Sequence, residues 1–208
     1  MSICFAICLS VAISTIGSQE IPQNQSLPNL EGYTIKELKI TNSAPLQAQV
    51  LREEVFSSKD GDLYDPQNLE DGLKRIRDLY DGLGFIDFSY NPLIDINQEE
   101  KTVACSFQFD PGKQFIINKI YIIGAKSSKD EAEIRSSIIL KEKRPLGLNF
   151  FEHSRRRVKE QLEGKGMYLK EFKYEQLTDP PVGTDIVEQA FDNPVYVDIF
   201  VMVDSEKH

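Results

Sequence analysis

Two stretches of this sequence repeat each other at an offset of 82 residues. Asp81-Gly82-Leu83-Gly84-Phe85 returns as Glu163-Gly164-Lys165-Gly166-Met167, and at the same offset Leu38 and Ile40 return as Ile120 and Ile122. Solenoid units stack at about 20–45 residues, so a period this long implies tandem domains instead. The paired glycines let the chain leave a helix through positive φ and turn at once into a strand.

Each copy reads as one small α/β module. In the first, residues 34–40 have strand character and Thr41-Asn42-Ser43 a turn. Pro45 is expected to open a helix whose apolar stripe is Leu46, Val50, Leu51 and Val55. Asp65-Pro66 is a strong helix start, and Leu69, Leu73, Ile76 and Tyr80 then mark one buried face. Residues 85–90 read as a second strand, Asn97-Gln98-Glu99-Glu100 as a hairpin turn and residues 102–109 as a third strand. In the second copy, residues 116–123, 167–175 and 195–203 take the strand places. Ser128-Lys129-Asp130-Glu131 reads as a capping box, with Ile134 and Ile138 behind it, and Asn149 opens a helix that buries Phe151, Val158 and Leu162. The fold class is therefore α+β: two tandem β-α-α-β-β modules over residues 32–112 and 113–205. Each is expected to be a three-stranded mixed sheet covered on one face by two antiparallel helices. The short junction Asp110-Pro111-Gly112-Lys113 implies restricted hinging.

Residues 1–18 stand apart. Ile3, Phe5, Ile7, Leu9, Val11, Ile13 and Ile16 lie among small residues, and no charged side chain follows until Glu20. The stretch is short of the ~20 residues a membrane span needs, and it suits a secretory signal peptide cleaved near Gly17 or Ser18, although the usual basic leader is missing. Residues 19–31 read as a flexible lead-in. Export would remove Cys4 and Cys8, leaving Cys105 as a lone thiol. It lies in phase with Val103, Phe107 and Phe109, which makes it a buried, inert core residue.

The formal net charge of −9 opposes nucleic acid as a partner, and Arg155-Arg156-Arg157 would fan around a helix without forming one basic face. No catalytic set is evident. His153 and His208 have no partner at catalytic or metal spacing, and Asp60-Gly61-Asp62 with Asp65 lacks the glycine and glutamate positions of a calcium loop. The chain is thus expected to be no enzyme and to need no cofactor or metal.

The order of elements, with Gly61-Asp62-Leu63-Tyr64 before the long helix and Leu79-Tyr80-Asp81-Gly82-Leu83-Gly84-Phe85 after it, resembles the POTRA domain. The second copy matches less fully, with Gly147-Leu148-Asn149-Phe150 and Leu162-Glu163-Gly164-Lys165-Gly166-Met167. The resemblance implies a periplasmic, outer-membrane-associated module that handles polypeptides in barrel assembly or translocation. The partners it implies are unfolded outer-membrane or secreted polypeptides, a C-terminal β-barrel or accessory envelope proteins. A structural scaffold joining fixed partners in a cell-envelope or division complex is the alternative. Three features depart from the family pattern: the sequence reaches His208 without a barrel, Arg155 occupies the helix position of Leu73, and residues 178–193 form a long insertion.

Val195, Val197, Ile199, Val201 and Val203 make the third strand the most apolar, so it is expected at the sheet centre, which leaves the second strand at an edge. An exposed edge accepts an extended chain through main-chain hydrogen bonds with little demand on sequence. In the family this is where extended chains dock, which assigns the client-binding edges to Phe85, Ile86, Phe88 and Tyr90 and to Tyr168, Leu169, Phe172 and Tyr174. The competing reading is that these aromatics pack beneath helices.

Overall fold

The computed structural model describes residues 19–20, 27–179, 191 and 193–204. The first sheet holds β1 (Gln19–Glu20), β2 (Thr34–Thr41), β3 (Ser89–Asn97) and β4 (Thr102–Asp110) in the order β1-β3-β4-β2. Its helices are α1 (Ala48–Val50), which runs on as a π-helical turn over Leu51–Val55, and α2 (Pro66–Gly82). The second sheet holds β5 (Phe115–Ile123), β6 (Tyr168–Gln176) and β7 (Val195–Asp204) in the order β5-β7-β6, with α3 (Ser128–Ser137) and α4 (Leu148–Glu163). In both modules the first strand runs parallel to the third, and the second and third form an antiparallel hairpin. The apolar third strands, β4 and β7, are central as their composition requires.

The offset of 82 residues seen in the sequence is also the register of the backbone. A bulge between Ile35 and Glu37 recurs between Ile117 and Lys119. The bridge from Thr34 to Leu63 recurs from Ile116 to Pro145. The Leu38 amide donates to Asp60 Oδ1 at 2.8 Å, and the Ile120 amide to Glu142 Oε1 at 3.0 Å. Phe85 N–H to Tyr80 O recurs as Met167 N–H to Leu162 O. Gly84 (φ +87°) and Gly166 (φ +65°) make the turn out of each long helix, where a side chain would be strained.

Several local expectations are corrected. Helix α1 begins at Ala48, after the extended Gln47, so Pro45 does not open it. The cap of α3 is Ser127, whose Oγ accepts the Asp130 amide at 3.1 Å, one residue before the expected capping box. The described part of the lead-in is docked: β1 pairs with β3, and Leu27 is buried in the first core with its amide donating to Glu70 Oε1 at 3.0 Å. Residues 1–18 and 21–26, and with them the signal peptide, lie outside the described residues, as does most of the 178–193 insertion.

The helix carrying Arg155 resolves its own difficulty. Helix α4 turns Phe151, Ser154, Val158 and Leu162 inward, while Arg155 stays at the surface 3.1 Å from Glu152. Ser154 stands where the first module has Gly72, whose Cα faces the Phe56 ring, and Ser154 Oγ accepts the Ile139 amide at 3.1 Å. Cys105 is buried as expected, and burial pushes its thiol up to about 12.

Candidate polypeptide-binding edges

Four strands lie on the outside of the two three-stranded cores, and they are not equally open. The outer side of β2 is covered by its own module: Ile35 donates to Asp62 O, Gly61 to Ile35 O and Tyr64 to Tyr33 O. The outer side of β5 is covered in the same way, through Ile117 to Arg144, Lys143 to Ile117 and Leu146 to Phe115. The outer sides of the hairpin strands β3 and β6 are less covered among the described residues, β3 carrying only the two-residue β1 at Leu93 and Ile94 and β6 no strand.

Those strands do not begin where the sequence indicated. The expected strand over residues 85–90 is a turn as far as Phe88, closed by the Phe88 amide on Phe85 O at 3.2 Å. The cause is aromatic packing, since Phe88 stacks on Tyr80 with ring centroids 4.4 Å apart and Phe85 meets the same ring edge-on at 6.0 Å. Phe85 and Phe88 are buried, and Ile86 packs against the second module's core. Of the four residues assigned to the first edge, only Tyr90 lies on β3, half-buried against Phe107 and Phe109. Burial raises the Tyr90 phenol above its ordinary value, against a smaller opposing effect of Arg77. Tyr168, Leu169, Phe172 and Tyr174 all lie on β6. Phe172 is buried 4.8 Å from the Phe151 ring, whereas Tyr174 remains 37% exposed at 5.5 Å from it.

The hydrogen-bonding parity of each edge follows from its partner. The Leu177 amide donates to Tyr196 O, which directs Leu177, Glu175, Lys173 and Glu171 toward β7. Phe172, Tyr174 and Gln176 therefore aim their N–H and C=O groups outward. The matching positions on β3 are Pro92, Ile94 and Ile96, because the strands they pair with carry the same register against β2 and β5. Pro92 has no N–H to offer, so the β3 edge lacks a donor that β6 has at Phe172. On the solvent face of β6, Lys173 lies between Glu175 (2.9 Å) and Glu171 (3.2 Å), which together raise its ammonium above the ordinary lysine value. Between α4 and β6 runs a groove of about 330 Å³ lined by Arg155, Lys159, Leu169, Lys170, Glu171 and Phe172.

The modules meet in a seam that sequence reasoning missed. Helix α4 has Gly147 at its N-cap, with no capping side chain of its own. Buried Asp81, at the end of α2 in the other module, supplies the cap: the Leu148 amide donates to Oδ1 at 2.7 Å and the Asn149 amide to Oδ2 at 3.1 Å. Gln114 extends the seam, with Nε2 donating to Leu83 O at 2.9 Å and Oε1 accepting the Phe191 amide at 2.8 Å. The Phe115 amide donates to Gly84 O at 2.8 Å. The missing cap residue before α4 was the available signal.

The POTRA family profile, described as a surface antigen variable number repeat, matches residues 33–112. Residues 33–112 are a POTRA domain, and the second module repeats its fold. The structure is similar to POTRA domains 3–5 of BamA from Haemophilus influenzae, with a TM-score of 0.51 and 16% identity over 83% of this chain. It is also similar to BamA from Haemophilus ducreyi lacking POTRA domains 1–3, with a TM-score of 0.54 and 20% identity over 84% of this chain. The chain spans 61% of the first of these and 30% of the second. No curated protein matches the sequence.

Proposed function

We propose that this chain is a periplasmic polypeptide-binding arm of an outer-membrane protein assembly or translocation system, taking up extended client chains by adding them as strands to its sheets. The observation that carries this reading is a POTRA domain in tandem with a second copy of its fold, in which, among the described residues, β6 has no strand on its outer side and β3 has only the two-residue β1. Main-chain pairing suits clients of varied sequence, because it draws on groups every residue carries. The groove beside β6 adds selectivity: Leu169 and Phe172 offer apolar contact, and Arg155, Lys159 and Lys170, the first two also paired with Glu152 and Glu163, outnumber the one carboxylate of Glu171. Hydrogen bonds across the seam tie the two modules together, which also suits the alternative of a scaffold between fixed envelope partners.

Backbone amide shifts during titration of the isotope-labelled chain with extended peptides from outer-membrane β-strands separate the two. Small, saturating shifts confined to Tyr168–Gln176 or Ser89–Asn97 are expected. Silence at millimolar peptide would refute strand capture and leave the scaffold.

A further inference from the structure

The first module's edge is not empty: Gln19 pairs with Ile94 and Glu20 with Leu93, antiparallel to β3. Ile94 is one of the residues whose backbone groups face outward on this edge, so the chain's own lead-in sits where an incoming strand would pair. Leu27 anchors the same segment a few residues later, buried in the first core with its amide on Glu70. The tether is therefore short, and a short tether holds its strand at a high effective concentration that a free peptide must overcome. Pro92 weakens what remains, because a competitor displacing β1 finds no N–H at the position before Ile94 on that side. On β6, Phe172, Tyr174 and Gln176 all offer donors, and no strand among the described residues pairs with them.

We propose that Gln19–Glu20 is a resident strand that occupies the first module's edge at Ile94 and directs extended clients to β6. This deepens the strand-capture reading and its client half rests on that reading, but the occupancy of β3 can be tested with no client present. The consequence is a single directed docking edge instead of two equivalent ones. It also makes the lead-in a control point, since whatever draws residues 19–20 away would open a second edge on the same arm.

Amide hydrogen exchange on the full chain tests the occupancy. Ile94 is expected to exchange at least about tenfold more slowly than Tyr174, the free-edge amide at the matching position, and deleting residues 1–20, which removes the carbonyl that the Ile94 amide meets, should bring the two together. If Ile94 exchanges as fast as Tyr174 in the full chain, or if the deletion leaves it protected, the resident strand is overturned regardless of any client. Titration with an alternating Val-Thr decapeptide then tests the direction. A shift is expected at Tyr174 but not at Ile94, with Ile94 responding only after the deletion. Equal shifts on both edges of the unmutated chain would overturn the direction. Protection at Ile94 with no peptide response anywhere would establish the resident strand and overturn the client-directing half together with strand capture.

Discussion

Removing the carboxylate of Asp81 tests whether the two modules act as one body. Asp81→Ala deletes the acceptor for two amides in the first turn of α4 and leaves both facing the seam. Losing a helix cap costs about 0.5–2 kcal/mol, and a buried, charged acceptor belongs at the upper end of that range, so a loss of about 2 kcal/mol is expected. For a chain of this size that lowers the midpoint of thermal unfolding by about 4–8 °C. Asp81→Asn retains one acceptor and should lose about half as much. Asp78→Ala is the control, because that carboxylate meets only the exposed Asn149 side chain at 3.4 Å and its loss should fall within about 0.5 kcal/mol. Residual dipolar couplings measured separately for the two sheets give their relative orientation, which should become averaged in Asp81→Ala and stay fixed in Asp78→Ala. If Asp81→Ala melts within about 1 °C of the unmutated chain and keeps one alignment tensor, the inter-module cap contributes nothing and the reasoning fails.

The two turn glycines give a second, internally controlled comparison. At Gly166 a side chain would meet open space, so Gly166→Ala should cost only the ~1–2 kcal/mol of left-handed backbone. At Gly84 the same methyl would lie 2.7 Å from Phe115 O, so Gly84→Ala should cost at least about 1 kcal/mol more, and equal losses in thermal melts would contradict the close seam. A third prediction concerns pH. The Ser127 hydroxyl, and after it Lys165, hold the Asp130 carboxyl below the ordinary aspartate value. A depressed value means that this contribution is present above the ordinary aspartate pKa and is lost as pH falls through the lower folded one. Ser127→Ala should therefore move the Asp130 titration upward in a carbon-detected NMR experiment, and an unmoved midpoint would assign the shift to Lys165 alone.

The repeat was legible because its signals are local and chemical. Glycines need their turns, an Asp-Pro pair opens α2, and alternating apolar side chains place β4 and β7 at the sheet centres. The errors share a different cause. Phe85 and Phe88 have strand propensity, yet stacking on Tyr80 bends the chain before the strand can begin. The expected start of α4 at Asn149 is one residue late, and the cap comes from Asp81, 67 residues away from Leu148 in sequence. Adjacent Ser127 and Ser128 were equivalent by composition, and only backbone direction chooses between them. That β6 lies outside a central β7 could be read from the apolar composition of β7. That β3 differs from β6 depends on Pro92 facing outward, which requires knowing the strand's register to its neighbour.

The two copies have diverged most clearly where their surroundings differ. The buried face of the long helix keeps its spacing, with Leu69, Ile76 and Tyr80 answered by Phe151, Val158 and Leu162. At the turn that follows, Leu83 packs onto its own core and gives its carbonyl to Gln114, so an apolar residue is tolerated in the seam. The corresponding Lys165 has no module to meet among the described residues, and it folds back onto Asp130 and Glu133 of α3. Leu83→Lys would give up that packing and Lys165→Leu two ion pairs, so the two exchanges are not equivalent. The same asymmetry holds at the edges, where Pro92 in one copy answers Phe172 in the other. A duplicated fold of this kind keeps its core and changes its boundaries.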